Sequence, residues 1–392
     1  MRLSASAPLA AVSLTSRPLL ALYGISLLSG VALGIFNPLI SLLLQQHQVS
    51  DLLIGANASL YYLVVALCSP LAGTLVNRAG VRRVMVGGIV LTALSAMLFQ
   101  HTGQLSHWFV LRLLMGIGIC LYMVAGQTAL NLAAAGHNRG VAVAIHGAVF
   151  GVGFMLSPLA GTLLYALSPQ YAFLLGSGVI SAGLAAVPFL TQNATSPRLL
   201  SLRPVLEKIR IPLLAAFIYG ALEGILVTLL PVYLVQQAVP VAYSAWPLPL
   251  FMLASGIGMI PLARCADQYG QTPVFLVSAL IGLLTSVLIF STDSAYAVPA
   301  GAVLLGLSVG TFFPLALAWI GHLLDQPALA TGSALFTASF SYGCAAGPVI
   351  ATLFVAAFGA GHLFSFISVL LVAFLVLLFL NPPQVAVQPN HR

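Results

Sequence analysis

The sequence predicts an all-α integral membrane protein with twelve transmembrane helices in two pseudo-symmetric bundles of six. Composition is the first reason: 60% of the 392 residues are hydrophobic, only 5% are charged, and the mean hydropathy is +1.10. A soluble domain carries about a quarter of its residues as charged side chains. Lipid must therefore surround this chain. In lipid an α-helix provides a hydrogen-bonding partner for the backbone N–H and C=O groups of a spanning segment.

The second reason is the number of apolar segments that reach the roughly 20 residues needed to cross a bilayer. The segment before Arg17 precedes an apolar run that is too long for the core of a signal peptide, so we expect an uncleaved first span. The predicted spans are residues 18–45, 51–76, 83–101, 106–135, 141–168, 170–191, 211–238, 242–265, 272–291, 295–323, 328–358 and 361–381.

The third reason is an internal repeat, in which matching residues of the two halves keep one constant separation along the chain. We call this separation, from Gly30 to Gly220, the repeat offset. The polar connection 192–210 lies midway and predicts a linker between an N-terminal half, residues 1–191, and a C-terminal half, residues 211–392. Parallel six-helix repeats are a transporter architecture that places the binding site near the membrane midplane, between the halves. Further matching pairs are Gly34 with Gly224, Gly80 with Gly270, Gly153 with Gly343, and Pro158 with Pro348.

The loops between the predicted spans differ in charge on the two sides of the membrane. Lys and Arg are missing from the loops on one side, whereas the other side receives both termini and the charged linker. Basic loops mark the cytoplasmic side. We therefore predict that both termini are cytoplasmic. The basic loop residues include Arg78, Arg82, Arg83, Arg139 and Arg264.

One of these loops carries a recognisable motif, "GTLVNRAGVRR" at residues 73–83. It resembles the Gly-x-x-x-Asp-Arg-x-Gly-Arg-Arg signature of the major facilitator superfamily, with Asn77 in place of the aspartate. "ARCADQYGQT" (263–272) is a degenerate second copy, and "RLLMGIG" (112–118) resembles the family's signature on its fourth helix. The resemblance implies a transporter whose gating loops contain Gly73, Asn77, Arg78, Gly80, Arg82, Arg83, Asp267 and Gly270.

A second motif, "GFMLSPLAG" (153–161), resembles the helix-five signature of the antiporter branches of that family, with Ser157 in place of one glycine. "GCAAGPVIA" (343–351) repeats it in the second half. The resemblance implies efflux of drugs or metabolites across a bacterial inner membrane. Pro158 and Pro348 predict kinks at equivalent points of two helices, and Gly153 and Gly343 predict close helix contacts there.

Glu223 is the one acidic residue deep inside a predicted span, well beyond Arg210 at the inner surface. A helical rise of 1.5 Å per residue puts Glu223 roughly 20 Å from that surface. Carboxyl groups removed from water hold their protons more tightly, which suits a proton carrier. Tyr219 precedes Glu223 by one helical turn. We predict a proton-coupling or cation-recognising site; the alternative is a neutral acid that bonds two helices together.

Arg112 and His146 are the other main ionisable residues predicted inside spans. Arg112 lies nearer the outer surface than Glu223 by roughly 13 Å, so we do not expect a direct ion pair. The resemblance implies a role for Arg112 in proton coupling, and a structural arginine bonded to carbonyl groups is the alternative. His146 is a further proton-coupling candidate because histidine titrates near neutral pH, although a packing role is favoured.

Polar and aromatic residues within the spans are candidates for a substrate cavity. Gln127 follows Arg112 by about four helical turns, which puts the two on similar faces of one helix. Packing or lipid-facing roles remain the alternative for each aromatic residue. The predicted cavity residues are Asn37, Asn57, Tyr61, Tyr122, Gln127, Asn131, Tyr219, Phe312 and Trp319.

These features predict proton-coupled efflux of a small, apolar or amphiphilic molecule by alternating access. Proton-coupled uptake of an organic solute is the alternative, followed by a lipid flippase or a non-transporting sensor. The sequence has no phosphate-binding loop, metal-ligand cluster or nucleophile elbow, so we expect neither an enzyme nor a cofactor beyond the proton gradient. We expect a monomer whose partners are its small-molecule substrate and membrane lipids, and no nucleic acid.

Overall fold

The computed structural model describes residues 13–134, 138–191, 202–230, 246–292 and 297–380, together with residues 233, 234 and 237. Within this part of the chain the backbone forms α-helices and short 3₁₀ turns, with no strand. The helices are α1 (Arg17–Gln46), α2 (Asp51–Ala79), α3 (Val81–Leu98), α4 (Leu105–Ala133), α5 (Arg139–Leu167), α6 (Pro169–Ala182), α7 (Leu202–Thr228), α8 (Pro247–Tyr269), α9 (Gln271–Ser291), α10 (Ala297–Leu307), α11 (Phe312–Leu323), α12 (Leu329–Phe358) and α13 (Leu363–Leu380).

The described helices confirm the predicted all-α membrane fold. Eleven helical segments are long and apolar enough to cross a membrane, with α10 and α11 forming one segment, Ala297–Leu323. The helix α5 supplies the remaining span. It has 29 residues, or about 44 Å at 1.5 Å per residue, which exceeds a hydrocarbon core of about 30 Å.

The tenth span is interrupted where α10 ends and α11 begins. Pro314 has no N–H group, so the carbonyl group of Gly310, four residues earlier, has no donor within the helix. The Ser255 hydroxyl on α8 donates to that carbonyl over 2.7 Å. The interruption therefore ties α8 to the tenth span, and a serine side chain supplies the hydrogen bond that proline removes.

Two boundaries differ from the sequence expectation. The sixth span leaves the α-helix at Ala182 and continues as a 3₁₀ turn, Gly183–Phe189, which contains Pro188. The helix α7 begins at Leu202 rather than near residue 211, because its first turns are amphipathic. Arg203 and Glu207 pair on the exposed side over 3.1 Å. Val205 and Ile209 are buried on the other side. Residues 192–201 of the predicted linker lie outside the described part of the chain.

The internal repeat appears directly in the helix packing. The pair α1 and α5 in the first half has its counterpart in α7 and α12 in the second. Gly30 lies against the Phe150 carbonyl group, and its repeat counterpart Gly220 lies against the Phe340 carbonyl group. The halves meet through α2 against α12 and α5 against α8, two contacts that the repeat offset relates.

The glycine contacts predict a stability difference between matched substitutions. A Cβ atom at Gly30 or Gly220 would collide with a backbone carbonyl group, and overpacking of this kind typically destabilises by about 1–3 kcal/mol. Gly87 on α3 has nothing within 4 Å of such an atom. We expect Gly30→Ala and Gly220→Ala to lower the melting temperature of the purified protein in detergent, and Gly87→Ala to leave it unchanged or raised. Equal melting temperatures would disprove the close-contact assignment.

Candidate functional site

A cavity of about 420 Å³ lies between the two halves. Four helices of the first half (α1, α2, α4 and α5) and four of the second (α7, α8, α11 and α12) contribute lining residues. This volume falls within the range of sites that hold drug-sized ligands.

The cavity wall is aromatic and apolar. Five phenylalanines, four tyrosines and four methionines line it, and methionine side chains adapt to ligands of different shapes. Among the described lining residues Glu223 is the one carboxylate, and none is lysine or arginine. The aromatic and methionine residues are Phe150, Phe154, Phe251, Phe313, Phe340, Tyr61, Tyr62, Tyr122, Tyr219, Met123, Met155, Met252 and Met259.

Glu223 faces this cavity from α7, and Tyr219 lies one turn earlier on the same face. The Tyr219 hydroxyl and the Glu223 carboxyl group form a side-chain hydrogen bond. The Tyr219 ring packs against Phe313 and Phe340, with ring centres 5.9 Å apart in each case. Aromatic packing thus holds the hydroxyl beside the carboxyl group, and the predicted pair shares one site.

Arg112 is buried in α4, outside the cavity lining. Its guanidinium group lies over the Tyr61 ring, 5.1 Å from the ring centre, in the geometry of a cation–π contact. Tyr61 lines the cavity, as Glu223 does. Arg112 therefore contacts the cavity wall through Tyr61, although it does not line the cavity itself.

His146 and Gln127 also line the cavity. The Ser26 hydroxyl donates to the His146 carbonyl oxygen over 2.8 Å, which fixes α1 against α5. The Thr337 hydroxyl on α12 donates to Gln127 Oε1 on α4 over 2.8 Å. Gln127 thus joins the two halves of the molecule at the cavity wall.

Four residues predicted for the cavity do not line it. Asn57 is buried and donates to the Trp108 carbonyl oxygen over 3.4 Å, so it joins α2 to α4. Asn131 donates to the Leu317 carbonyl oxygen over 3.5 Å, outside the lining. Phe312 and Trp319 pack against Phe275 in the core of the second half. The side chains of Asn37 and Pro158 lie outside those that the structure describes.

We call the end of the bundle that carries Arg78, Arg82 and Arg83 the basic end. The halves are joined there by Asp267, at the last turns of α8. Both carboxylate oxygens accept backbone hydrogen bonds from the start of α5, from the N–H groups of Gly140 and Val141, each over 3.3 Å. A helix N-terminus carries a partial positive charge that stabilises such a carboxylate. Asp267 therefore fastens one half to the other.

The repeat offset relates the Asp267 contact to a second contact at the basic end, which is uncharged. Asn77 Nδ2 donates to the Thr331 hydroxyl over 3.4 Å, and Thr331 is the counterpart of Val141 under the repeat offset. Gly73 allows α2 to approach Ala330 and Ala334 on α12. The two gating loops thus make related contacts, one through a carboxylate and one through an amide.

Further contacts at the basic end involve arginine. Arg139 donates to the Gly321 carbonyl group of the other half and to the Asn131 carbonyl group of its own. His322 Nε2 lies 3.8 Å from Asp267 Oδ1. The Arg139–Gly321 bond thus adds a further link between the two halves at this end.

The motif residues that remain shape the gating loops. Arg82 donates twice to the Leu190 carbonyl oxygen, over 3.0 and 2.6 Å, which holds the end of the sixth span. Arg78 and Arg83 are exposed. Gly80 and Gly270 adopt φ angles of 85° and 93°, a region that favours glycine.

The predicted glycine and proline positions of the long helices fit the packing in part. Gly153 faces the α1 backbone at Leu27, and Gly343 faces the Phe217 carbonyl group on α7. The helix α12 continues as one helix through Pro348.

Sequence reasoning missed much of the cavity wall, including Tyr62, the methionines and most of the phenylalanines. Met123 lies one turn before Gln127 on α4, so the helical period around a predicted polar residue was an available signal. The partner of Asp267 had no such signal, because Gly140 and Val141 contribute only backbone atoms.

Comparisons with known proteins agree with this fold. The sequence profile of the Major Facilitator Superfamily matches residues 22–213 and again residues 212–392. The MFS-type transporter YfkF of Bacillus subtilis (strain 168) is 30% identical over 367 residues, which cover 91% of this chain and 93% of YfkF. The MFS-type transporter YcaD of Salmonella typhi is 25% identical over 379 residues, covering 95% and 98% of the two chains.

Two solved structures share the architecture. The human organic anion transporter MFSD10 (TETRAN) superimposes with a TM-score of 0.80 at 19% identity, covering 92% of this chain and 99% of that one. FucP, solved in the outward conformation, superimposes with a TM-score of 0.72 at 16% identity, covering 92% and 97%. At these identities the superpositions establish the fold alone.

Proposed function

Because this chain belongs to the major facilitator superfamily and is a membrane transporter, we propose that it is a proton-coupled antiporter that exports a small amphiphilic molecule. One observation carries the proposal: among the described lining residues Glu223 is the one carboxylate, and it faces a largely aromatic and apolar cavity between the two halves. The cavity lies where alternating access requires a site, and the Glu223 carboxyl group can exchange a proton.

The wall chemistry favours a particular class of substrate. Polar groups that enter such a cavity without a hydrogen-bonding partner lose hydration energy, so a largely apolar molecule is favoured. Glu223 favours a neutral or cationic molecule over an anion, because no described lining residue is lysine or arginine. MFSD10 is an organic anion transporter, but the lining gives no reason to extend that substrate class to this chain.

Antiport follows from competition for Glu223. A proton neutralises the carboxyl group, and a cationic or hydrogen-bonding substrate occupies it. Binding of either one therefore promotes release of the other. Tyr219 can donate a hydrogen bond to the ionised group. Arg112 supplies positive charge against Tyr61 of the cavity wall, and His146 offers a second titratable group on that wall. We propose that these residues set when Glu223 releases its proton.

The basic end is proposed to face the cytoplasm, on the distribution of arginine among the loops. The contacts of Asp267, Asn77 and Arg139 then close the cytoplasmic side, so the described state is outward-facing.

Labelling of single cysteines tests the orientation. In a variant whose four native cysteines are replaced by serine, we expect a membrane-impermeant maleimide to label cells carrying cysteine at position 48 or 293. Positions 80 and 203 should react only after the cells are opened. Labelling of position 80 in intact cells would contradict the proposed orientation.

Transport of a matched panel tests the substrate class. Everted membrane vesicles would be prepared with an acidic interior. Aromatic amphiphiles of similar size that are cationic, neutral or anionic would then be added outside. We expect the cationic and neutral compounds to accumulate above the level in vesicles without the protein, and the anions to remain at that level. Accumulation of the anions alone would contradict the proposed role of the cavity wall.

A further inference from the structure

The lining residues follow a different pattern on α5 and α8 from that on the other helices. Along α1 they lie three or four residues apart, at Leu22, Ile25, Ser26, Ser29 and Leu33, as expected for one helix face. Along α5 they include residues 150–152, and along α8 residues 251–253 and 255–257. Successive helical residues are about 100° apart. The cavity therefore extends around the edges of α5 and α8 onto another face.

That face is the outer surface of the bundle. Ile257 is 69% exposed, Val152 48% and Leu253 45%, although all three also line the cavity. Leu253 and Ile257 begin a stripe on α8 that continues with exposed Pro261 and Arg264. Pro261 and Arg264 approach the basic end, where Asp267 holds the halves together. The stripe thus lies on the outside of the protein, where the bilayer surrounds it.

Two glycines leave the space between α5 and α8 open. A Cβ atom built on Gly151 or Gly256 has nothing within 4 Å, and both residues line the cavity. Gly151 lies about 18 Å along α5 from Arg139, and Gly256 about 20 Å along α8 from Tyr269, at 1.5 Å per residue. Both distances place the opening near the middle of a hydrocarbon core about 30 Å thick.

The internal repeat provides a comparison within the same chain. The counterparts of Gly151 and Gly256 are Ser341 on α12 and Ala66 on α2. Both counterparts are buried, at 2% and 1% exposure, and neither lines the cavity. The α2–α12 contact is therefore filled at the level where the α5–α8 contact is open. The difference is a property of the side chains, since the two contacts are related by the fold.

We infer that the gap between α5 and α8 is a lateral portal through which the apolar part of the transported molecule enters the cavity directly from the bilayer. The inference rests on the proposed function, because an exporter of amphiphiles meets its substrates dissolved in the membrane. Gly151 and Gly256 are the residues that determine whether the portal is open. Its apolar rim, formed by Val152, Leu253 and Ile257, matches lipid acyl chains in character.

A photoactivatable phospholipid tests the portal without knowledge of the substrate. The purified full chain would be reconstituted in vesicles of phosphatidylethanolamine and phosphatidylglycerol that contain phosphatidylcholine with a diazirine near the end of one acyl chain. After illumination, mass spectrometry would locate the adducts. We expect adducts on cavity residues such as Met259, in addition to those on lipid-facing residues such as Leu284 on α9, which is 63% exposed.

The double variant Gly151→Leu/Gly256→Leu is expected to lower the cavity adducts at least fivefold and to leave the Leu284 adducts unchanged. The matched control is Gly87→Leu/Gly178→Leu, which adds the same side chains where a Cβ atom also has nothing within 4 Å. The control should label like the unmodified protein. Cavity adducts that are missing from the unmodified protein, or that persist in the double variant, would overturn the portal.

The outcomes separate the portal from the proposed function. Absence of cavity adducts from an unmodified protein that shows normal gradient-driven transport would reject the portal alone. Cavity labelling as expected, in a protein that fails to move any amphiphile of the panel, would support the portal and reject export.

Discussion

Replacing Glu223 with glutamine is expected to abolish accumulation of substrate driven by a pH gradient, while exchange of labelled for unlabelled substrate continues. Glutamine keeps the size of the side chain and its hydrogen bonding to Tyr219, but it cannot bind or release a proton near neutral pH. Exchange returns substrate across the membrane without net proton movement, so it does not require titration. Both rates can be measured in the same proteoliposomes.

Glu207 supplies a matched control for this variant. It is a glutamate on the same helix, exposed and paired with Arg203 at the membrane surface, so Glu207→Gln should transport like the unmodified protein. If Glu223→Gln still concentrated substrate against a gradient at the unmodified rate, the coupling proton would travel through another group. His146 would then be the first candidate, since it also lines the cavity.

Replacing Asp267 with alanine is expected to open the basic end, and more strongly than replacing Asn77 with alanine. Asp267 accepts two backbone hydrogen bonds at the start of α5, and charge-assisted bonds at a helix N-terminus contribute about 1–2 kcal/mol. Loss of that amount shifts a two-state equilibrium roughly 5- to 30-fold. Asn77 makes one neutral bond of 3.4 Å to Thr331, which contributes about 0.5–1.5 kcal/mol.

Spin labels at positions 75 and 269 would report this change, because both side chains are exposed and the positions lie in different halves at the basic end. The distance distribution in proteoliposomes should shift to longer values in Asp267→Ala, and less in Asn77→Ala. Asp267→Asn should fall between them, since the amide oxygen accepts hydrogen bonds without the charge. An unchanged distribution in Asp267→Ala would show that other contacts, such as that of Arg139, hold this end closed.

The sequence predicted the architecture well because two of its signals act over the whole chain. Apolar length defines the spans, and the repeat offset predicted which helices pack alike, down to Gly30 and Gly220 against equivalent carbonyl groups. These signals depend on the bilayer and on backbone approach, both of which leave strong patterns in a sequence.

The cavity was harder to predict, because the position of a residue along a helix does not show which way its side chain points around the helix axis. Trp319 and Phe312 lie in a segment that is apolar on every face, and an apolar residue has the same character whether it meets lipid, core or cavity. Asn57 is polar but hydrogen-bonds the backbone of the neighbouring helix. Gly151 and Gly256 matter through the space they leave, which becomes visible only when α5 and α8 are side by side.

The most direct test of the account is the sign of the pH gradient that drives transport. Proteoliposomes of uniform orientation would be loaded at acidic or at alkaline pH and diluted into the opposite buffer with the cationic amphiphile of the panel. Antiport predicts accumulation when the interior is acidic, because protons leave as substrate enters, and no accumulation when the exterior is acidic. Accumulation driven by an acidic exterior would show symport and contradict the proposed export mechanism.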